Sequence, residues 1–317
     1  MVQSIFLFFI SFLLLWIGSG IAVSVISKVA HSLRMSSFFV SFFVLGLFTS
    51  IAEITVGISA HINNEPEIFV GNLIGGSVVL FLLVIPLLAA VGDGIKLSHS
   101  FDVKDLISAV VVVGFPAFLS LDNEISYIDA LVCIIFYCYF IFTQQKKAHS
   151  IERVVHINIK QTTLYGSLLQ VLGAVILIFI ASTILVNQTK IIGELLGISP
   201  FVISVLVISI GTNIPEISIA VRAILAKRKD IAFGDYLGSA TLNTLELGIL
   251  SIMGNTPINA DGSNYSILIF LIGLGFFVYF AKTHHTFSRQ EGAILLAIYG
   301  VFVICELVTG PGWNIFH

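Results

Sequence analysis

Glu53 and Glu216 stand 163 residues apart, each near the middle of an apolar run long enough to cross a bilayer. An ionisable side chain at that depth is costly and marks a functional site by default. The stretches around the two acids repeat each other. Thr49-Ser50-Ile51-Ala52-Glu53 falls on Thr212-Asn213-Ile214-Pro215-Glu216, and at the same offset Gly71-Asn72-Leu73-Ile74-Gly75 falls on Gly234-Asp235-Tyr236-Leu237-Gly238. Phe38, Ser41, Val44, Ile54, Ala60 and Ile68 also meet their own residue type 163 positions on. An ungapped offset held over about forty residues is the mark of an internal duplication.

Composition sets the environment. The chain is 57% hydrophobic and 10% charged, against roughly 25% charged residues in a soluble domain, so it is read as an integral membrane protein. Cys133, Cys138 and Cys305 all lie in apolar segments, where cysteine behaves as a small hydrophobe, and no disulfide framework or zinc site is expected. Met1-Val2-Gln3-Ser4 has no basic residue before its apolar run. A secretory signal would have a positive n-region, so this segment is kept as a spanning helix.

Runs of roughly 20 apolar residues read as transmembrane helices. Ten are expected, at 4–27, 36–62, 66–90, 103–120, 124–143, 163–187, 199–226, 230–253, 265–282 and 291–309. Thirteen Lys and Arg residues fall in the loops after the odd-numbered spans, from Lys28 to Arg289, and only Lys190 in the loops on the other side. The positive-inside rule then places both termini on the non-cytoplasmic side. The expected organisation is a first five-helix repeat over 1–143, a cytoplasmic linker loop over 144–162 and a second five-helix repeat over 163–317. Five spans per repeat is an odd number, so the second repeat enters the membrane upside down. Inverted repeats with the binding site at their interface, near the midplane, are a recurring transporter design. The fold class expected is an all-α integral membrane protein of ten transmembrane helices in two inverted five-helix repeats. The membrane expected is a bacterial inner (plasma) membrane.

The chemistry lies in the repeated stretches. Pro215 has no N–H to offer the carbonyl of Gly211, and its ring pushes that carbonyl aside. A freed carbonyl, Thr212, Asn213 and Glu216 then lie within about two helical turns. They supply several oxygens and one negative charge, which suits a hard cation. Gly71 and Gly75, like Gly234 and Gly238, have the spacing of four that lets helices approach closely. They are expected to bring the third span against the second, and the eighth against the seventh. On the eighth span Ser239, Asn243 and Glu246 share one face. Their repeat equivalents Gly76, Leu80 and Leu83 cannot match them, so the site is expected to be lopsided toward the second half. Asp122, Glu124 and Asp129 lie at or near the start of the fifth span, and Glu306 sits inside the tenth without a repeat partner. His149 and His156 fall in the linker.

At these residues the sequence resembles the cation/calcium exchanger superfamily, nearest its sodium/calcium exchanger branch. That family has two inverted five-helix halves, each with a motif of the Gly-Thr-Ser-Leu-Pro-Glu kind followed by one of the Gly-Asn-x-x-Gly-Ser-Asn-x-x-Asn/Asp kind. Thr49, Ser50, Glu53, Thr212, Pro215, Glu216 and Ser239 match. Ala52 stands where the family has proline, so the second span need not break as the seventh does. Gly76 stands at the family's first-half serine and Leu80 at its asparagine, Asn213 replaces a serine, and Asn243 occupies a position that is often aspartate. The resemblance implies a secondary active antiporter that moves Ca2+ in exchange for Na+ by alternating access. Its implied ion ligands are Glu53, Glu216, Thr49, Thr212, Ser50, Asn213, Ser239 and Asn243. No bound cofactor is implied, only transported cations and a lipid bilayer.

Two carboxylates in a low-dielectric cavity repel each other. One divalent cation, two monovalent cations or two protons relieve them equally, which is the basis of exchange. Calcium takes ~6–8 oxygens at flexible distances, while magnesium sheds its water reluctantly; softer metals would call for His or Cys, and neither flanks these motifs. Two other readings stay open. The missing first-half ligands fit a proton-coupled or otherwise altered cation transporter, and a degenerate, non-transporting ion sensor is the third. No Ser/His pair, paired Asp or His-Glu-x-x-His arrangement points to an enzyme.

Overall fold

The computed structural model describes residues 2–32, 42, 46–91, 94–96, 103–122, 124–148, 161–217, 229–253, 258–259, 264–284 and 286–309. Its helices are α1 (Val2–Ser32), α2 (Gly46–Thr49), α3 (Ile51–Ile62), α4 (Pro66–Val91), α5 (Val103–Leu119), α6 (Tyr127–Ala148), α7 (Gln161–Leu196), α8 (Pro200–Thr212), α9 (Lys229–Met253), α10 (Asn264–His284) and α11 (Arg289–Thr309). Four two-residue strands join them: β1 (Ile95–Lys96), β2 (Glu124–Ile125), β3 (Ile258–Asn259) and β4 (Thr286–Phe287). Each of the ten expected spans has its helix, the second as α2 and α3 together. Among the described residues, six helices are long and apolar enough to cross a bilayer by length and composition. Part of the second span, the end of the seventh and the linker residues His149 and His156 lie outside the described residues.

The strands show the inversion directly. β1 pairs antiparallel with β4, and β2 with β3. Because β1 precedes α5 and β2 follows it, the two ribbons sit at opposite ends of that helix. β3 precedes α10 and β4 follows it. The fourth span, α5, therefore runs from the first ribbon to the second, and its repeat equivalent α10 runs from the second back to the first. β1 and β3 are themselves 163 residues apart.

Several boundaries differ from the sequence reading, α1 running on to Ser32 and α6 to Ala148, and two have a clear local cause. The fifth span starts at Tyr127 rather than 124 because Ser126 and Asp129 form a capping box. Ser126 N and Oγ donate to Asp129 Oδ2 at 2.9 and 2.6 Å, and Asp129 N donates back to Ser126 Oγ at 3.3 Å. These bonds satisfy donors that the first helical turn leaves open. The sixth span runs on to Leu196. It stops at Gly197, whose φ of +66° is the left-handed conformation that ends helices, with Ile198 N donating to Gly193 O at 3.0 Å. The added turns carry Lys190 to an ion pair with Glu65.

The glycines bring together different helices from those expected. A Cβ on Gly71 would lie 2.9 Å from Phe201 O and one on Gly75 2.7 Å from Val205 O, both on α8. A Cβ on Gly238 of α9 would lie 2.0 Å from Phe42 O, just before α2. The small residues thus press the third span against the seventh and the eighth against the second, across the repeats rather than within them. The spacing identifies a face that permits close approach; it carries no information about which helix takes it. At the periphery α1 packs on its repeat equivalent α7, where a Cβ on Gly18 would meet Ile178 Cγ1 at 2.5 Å.

Candidate cation site

The second and seventh spans are both interrupted at the motif. α8 widens into π winding at Ser204–Ile208, returns to α-helix over Ser209–Thr212 and is interrupted at Asn213 (φ −89°, ψ 11°). A short helical stretch then continues over 214–217. Pro215 has no N–H for the carbonyl of Gly211, and the chain resumes where Ile217 N bonds Asn213 O at 3.0 Å. Gly211 is glycine for a further reason: a Cβ there would lie 1.8 Å from Phe12 Cε1 of α1.

The second span is interrupted at Ser50 (φ −72°, ψ 0°), between α2 and α3. Ser50 is the repeat equivalent of Asn213, and the break occurs although Ala52 replaces the proline. The expectation that Ala52 frees this span from a break is overturned: contacts from the other half hold the interruption in place. Thr49 Oγ1 lies 3.3 Å from Asp235 Oδ1, and Ser50 Oγ lies 2.7 Å from Ser239 Oγ.

All eight candidate residues are buried together. Thr49, Ser50, Glu53, Thr212, Asn213, Glu216 and Ser239 are 0% exposed and Asn243 is 2% exposed. Ser239 Oγ donates to Glu216 Oε1 at 3.1 Å. A hydroxyl has a single hydrogen, so Ser50 is the donor to Ser239, and a chain of two bonds leads from the first half to the second-half acid. The hydroxyl of Thr49 also lies against the Glu216 carboxyl. Tyr236 fixes the backbone there, its hydroxyl donating to Glu216 O at 3.1 Å. Thr212 Oγ1 donates to Asn72 Oδ1 at 3.1 Å. Asn213 Nδ2 donates to Ser209 O at 2.8 Å, and Asn243 Nδ2 to Leu73 O at 3.3 Å.

What these bonds leave over is a set of acceptors. Both carboxylate oxygens of Glu53, Oε2 of Glu216, and the side-chain oxygens of Asn213 and Asn243 are buried with no hydrogen-bond donor. Buried polar atoms are almost always satisfied, and five acceptor oxygens without donors, two of them on one acid, are what a cation would satisfy. Glu216, Glu246 and Asp235 all lie within electrostatic reach of Glu53. Among the described residues no three carboxylate, imidazole or thiol side chains converge as at a fixed metal centre. An ion here would be held by two acids at most, with neutral oxygens completing its shell. An open cleft of about 400 Å³ lies elsewhere, beside the Glu65–Lys190 pair, and none of the eight residues lines it.

Gly76 explains one departure from the family pattern. A Cβ there would stand 3.1 Å from Asn243 Nδ2 and 3.2 Å from Asn213 Nδ2. The asparagine that replaces a serine in the second half fills the space that a serine at 76 would take. Leu80 is fully buried and apolar at the place of the family's asparagine.

Asp235 and Asn72 were not among the candidates, yet both are fully buried partners of the motif threonines. The signal was present: an acid in an apolar span at the repeat position of an asparagine. Glu306, unexplained by sequence, accepts a hydrogen bond from Ser266 across α10 and α11.

Known proteins place this architecture. The solved sodium-calcium exchanger NCX_Mj superposes with a TM-score of 0.69 at 23% identity, covering 96% of this chain and 98% of that one. The uncharacterized membrane protein MJ0091 of Methanocaldococcus jannaschii is 24% identical over 304 residues, 96% of this chain and 97% of its own. The sodium/calcium exchanger MaX1 of Methanosarcina acetivorans is 30% identical over 139 residues, 40% of this chain and 37% of its own. The sequence profile of the family described as sodium/calcium exchanger protein matches residues 3–146 and 166–308, and the chain belongs to that family.

Proposed function

We propose that this membrane cation antiporter moves Ca2+ in exchange for Na+, by alternating access around a midplane site formed by Glu53 and Glu216. One observation carries the reading: two repeat-equivalent acids are buried within electrostatic reach of each other, and three of their four carboxylate oxygens have no hydrogen-bond donor. Two such charges match one Ca2+ or two Na+, so one set of acids holds either load but not both. The carbonyls and hydroxyls of Thr49 and Thr212, with Ser50, Ser239 and the oxygens of Asn213 and Asn243, complete a shell of the size calcium takes. Ser50 and Asn213, where the two spans are interrupted, are the places where small rotations would expose the acids to one side and then the other. The loop charges support placing both termini on the non-cytoplasmic side of a bacterial inner membrane, with repeats over 1–143 and 163–317 and the linker 144–162 in the cytoplasm.

Leu80 and Gly76 favour a second reading, in which protons replace sodium as the coupling ion, because both remove first-half ligands. Proteoliposomes with sodium and pH gradients varied separately distinguish the two. Calcium uptake driven by an outward sodium gradient at equal pH is expected. Glu216→Gln should abolish that flux and Glu53→Gln should nearly abolish it. Uptake that ignores sodium and follows the pH gradient selects the second reading. Wild-type flux in either variant removes the site altogether.

A further inference from the structure

Beside Glu53 and Glu216 two more acids are buried among these helices: Asp235, which meets the Thr49 hydroxyl, and Glu246, which the pairing leaves unused. On α9, Ser239, Asn243, Glu246 and Leu250 form one stripe, at spacings of four, three and four residues. The other three members all contact the first half. Ser239 bonds Ser50 at 2.7 Å, Asn243 bonds the carbonyl of Leu73 at 3.3 Å, and Leu250 Cδ1 lies 2.5 Å from where a Cβ of Gly57 would be. Ser239 and Leu250 meet Ser50 and Gly57 at the start and middle of α3, so Glu246, between them on the stripe, is directed at α3. Glu53 lies on α3 between Ser50 and Gly57, at the same level. Glu246 is 7% exposed, and neither of its carboxylate oxygens has a hydrogen-bond donor. The same holds for both oxygens of Glu53, and Glu246 lies within electrostatic reach of it.

Four buried carboxylate oxygens without donors, on neighbouring faces of α3 and α9, call for a positive charge, since a buried ion left uncompensated is strongly unfavourable. The repeat equivalent of Glu246 is Leu83, so this demand is peculiar to one half. Resting on the proposed Glu53–Glu216 reading only in that Glu53 is shared, the geometry points to a second cation position between Glu53 and Glu246, occupied by a monovalent ion of sodium's kind. Of the two further acids, Asp235 has one oxygen against the Thr49 hydroxyl, while Glu246 has a donor at neither, so Glu246 is the one that calls for an ion of its own. Glu53 and Glu216 match a charge of +2, and Glu246 adds one more negative charge, which one sodium ion meets.

Equilibrium binding of radiolabelled sodium and calcium to the purified full chain tests this. Glu246→Gln should raise the half-saturating sodium concentration on the order of tenfold, or remove one bound sodium per chain, with a far smaller effect on calcium. Glu246→Asp keeps the charge but withdraws it by one methylene, and should shift sodium affinity by a smaller factor; it stands in if the glutamine variant does not fold. Sodium affinity and count equal to wild type in both variants overturn the second position, as does a response confined to pH. Calcium binding that survives Glu216→Gln would instead sink the Glu53–Glu216 site, and leave the Glu246 result to stand on its own measurement.

Discussion

Thr49 reaches across the repeats to Asp235, 3.3 Å between Oγ1 and Oδ1, and Thr212 reaches back to Asn72 at 3.1 Å. The two contacts are images of each other, because 49 and 72 become 212 and 235 at the duplication offset. The Ser50–Ser239 bond has its own image in Asn213 set against Gly76. The site is thus built twice from the same plan, with side chains of each half locking the broken helix of the other. Departures from symmetry then show where this chain has been altered.

Asp235 is one such departure, an acid where the first half has an amide. Its Oδ1 meets Thr49 and its Oδ2 is buried without a donor. Asp235→Asn keeps an acceptor for Thr49 and removes a buried charge, which is costly while no cation is bound. The variant should unfold at a higher temperature than wild type in chelator without sodium, and gain less from added calcium. Ion-dependent thermal stability in detergent measures both. A variant that melts lower in chelator, with an undiminished calcium response, would mean that Asp235 is already neutralised within the protein.

Gly76 and Asn213 make a coupled pair. Gly76→Ser alone places a Cβ 3.1–3.2 Å from two asparagine amides, which must yield by a few tenths of an ångström and strain their bonds to Ser209 O and Leu73 O, and cation affinity should fall. Asn213→Ser alone opens a gap and loses an acceptor. The double variant restores the arrangement that the family pattern describes, and should recover most of the affinity. A double-mutant cycle on calcium-dependent stabilisation should return a coupling of roughly 0.5–3 kcal/mol, the range for contacting residues. Strictly additive effects would show that the two positions do not share space.

Most of this architecture could be read from the residues, and the reason is physical. In lipid the backbone must satisfy itself, so long apolar runs become helices and charges inside them stand out. That is why Glu53, Glu216 and the duplication were legible, and why the odd count of spans forced the inversion. Partners across the repeats were not legible. The break at Ser50 has no proline to announce it and rests on Thr49–Asp235 and Ser50–Ser239, contacts 186 and 189 residues apart in sequence. In the sequence Asn72 and Asp235 read as parts of a small-residue motif, because their threonine partners lie in the opposite half.

Among the described glycines, Gly238 is where one half presses closest on the backbone of the other. A Cβ there would stand 2.0 Å from the carbonyl oxygen of Phe42 and 2.9 Å from its carbonyl carbon. Both are backbone atoms, so no rotamer change can relieve the overlap, and α9 would have to move away from the second span. That movement would pull Ser239 from Ser50 one residue further along. Gly238→Ala should therefore cost roughly 1–3 kcal/mol or more and weaken calcium binding together with stability. Gly275→Ala, on a helix surface with nothing within 4 Å of the added atom, is the matched control and should change neither. Thermal unfolding and calcium titration of the two variants side by side decide the matter: equal behaviour would mean that the close approach of the eighth span to the second is not what holds the site together.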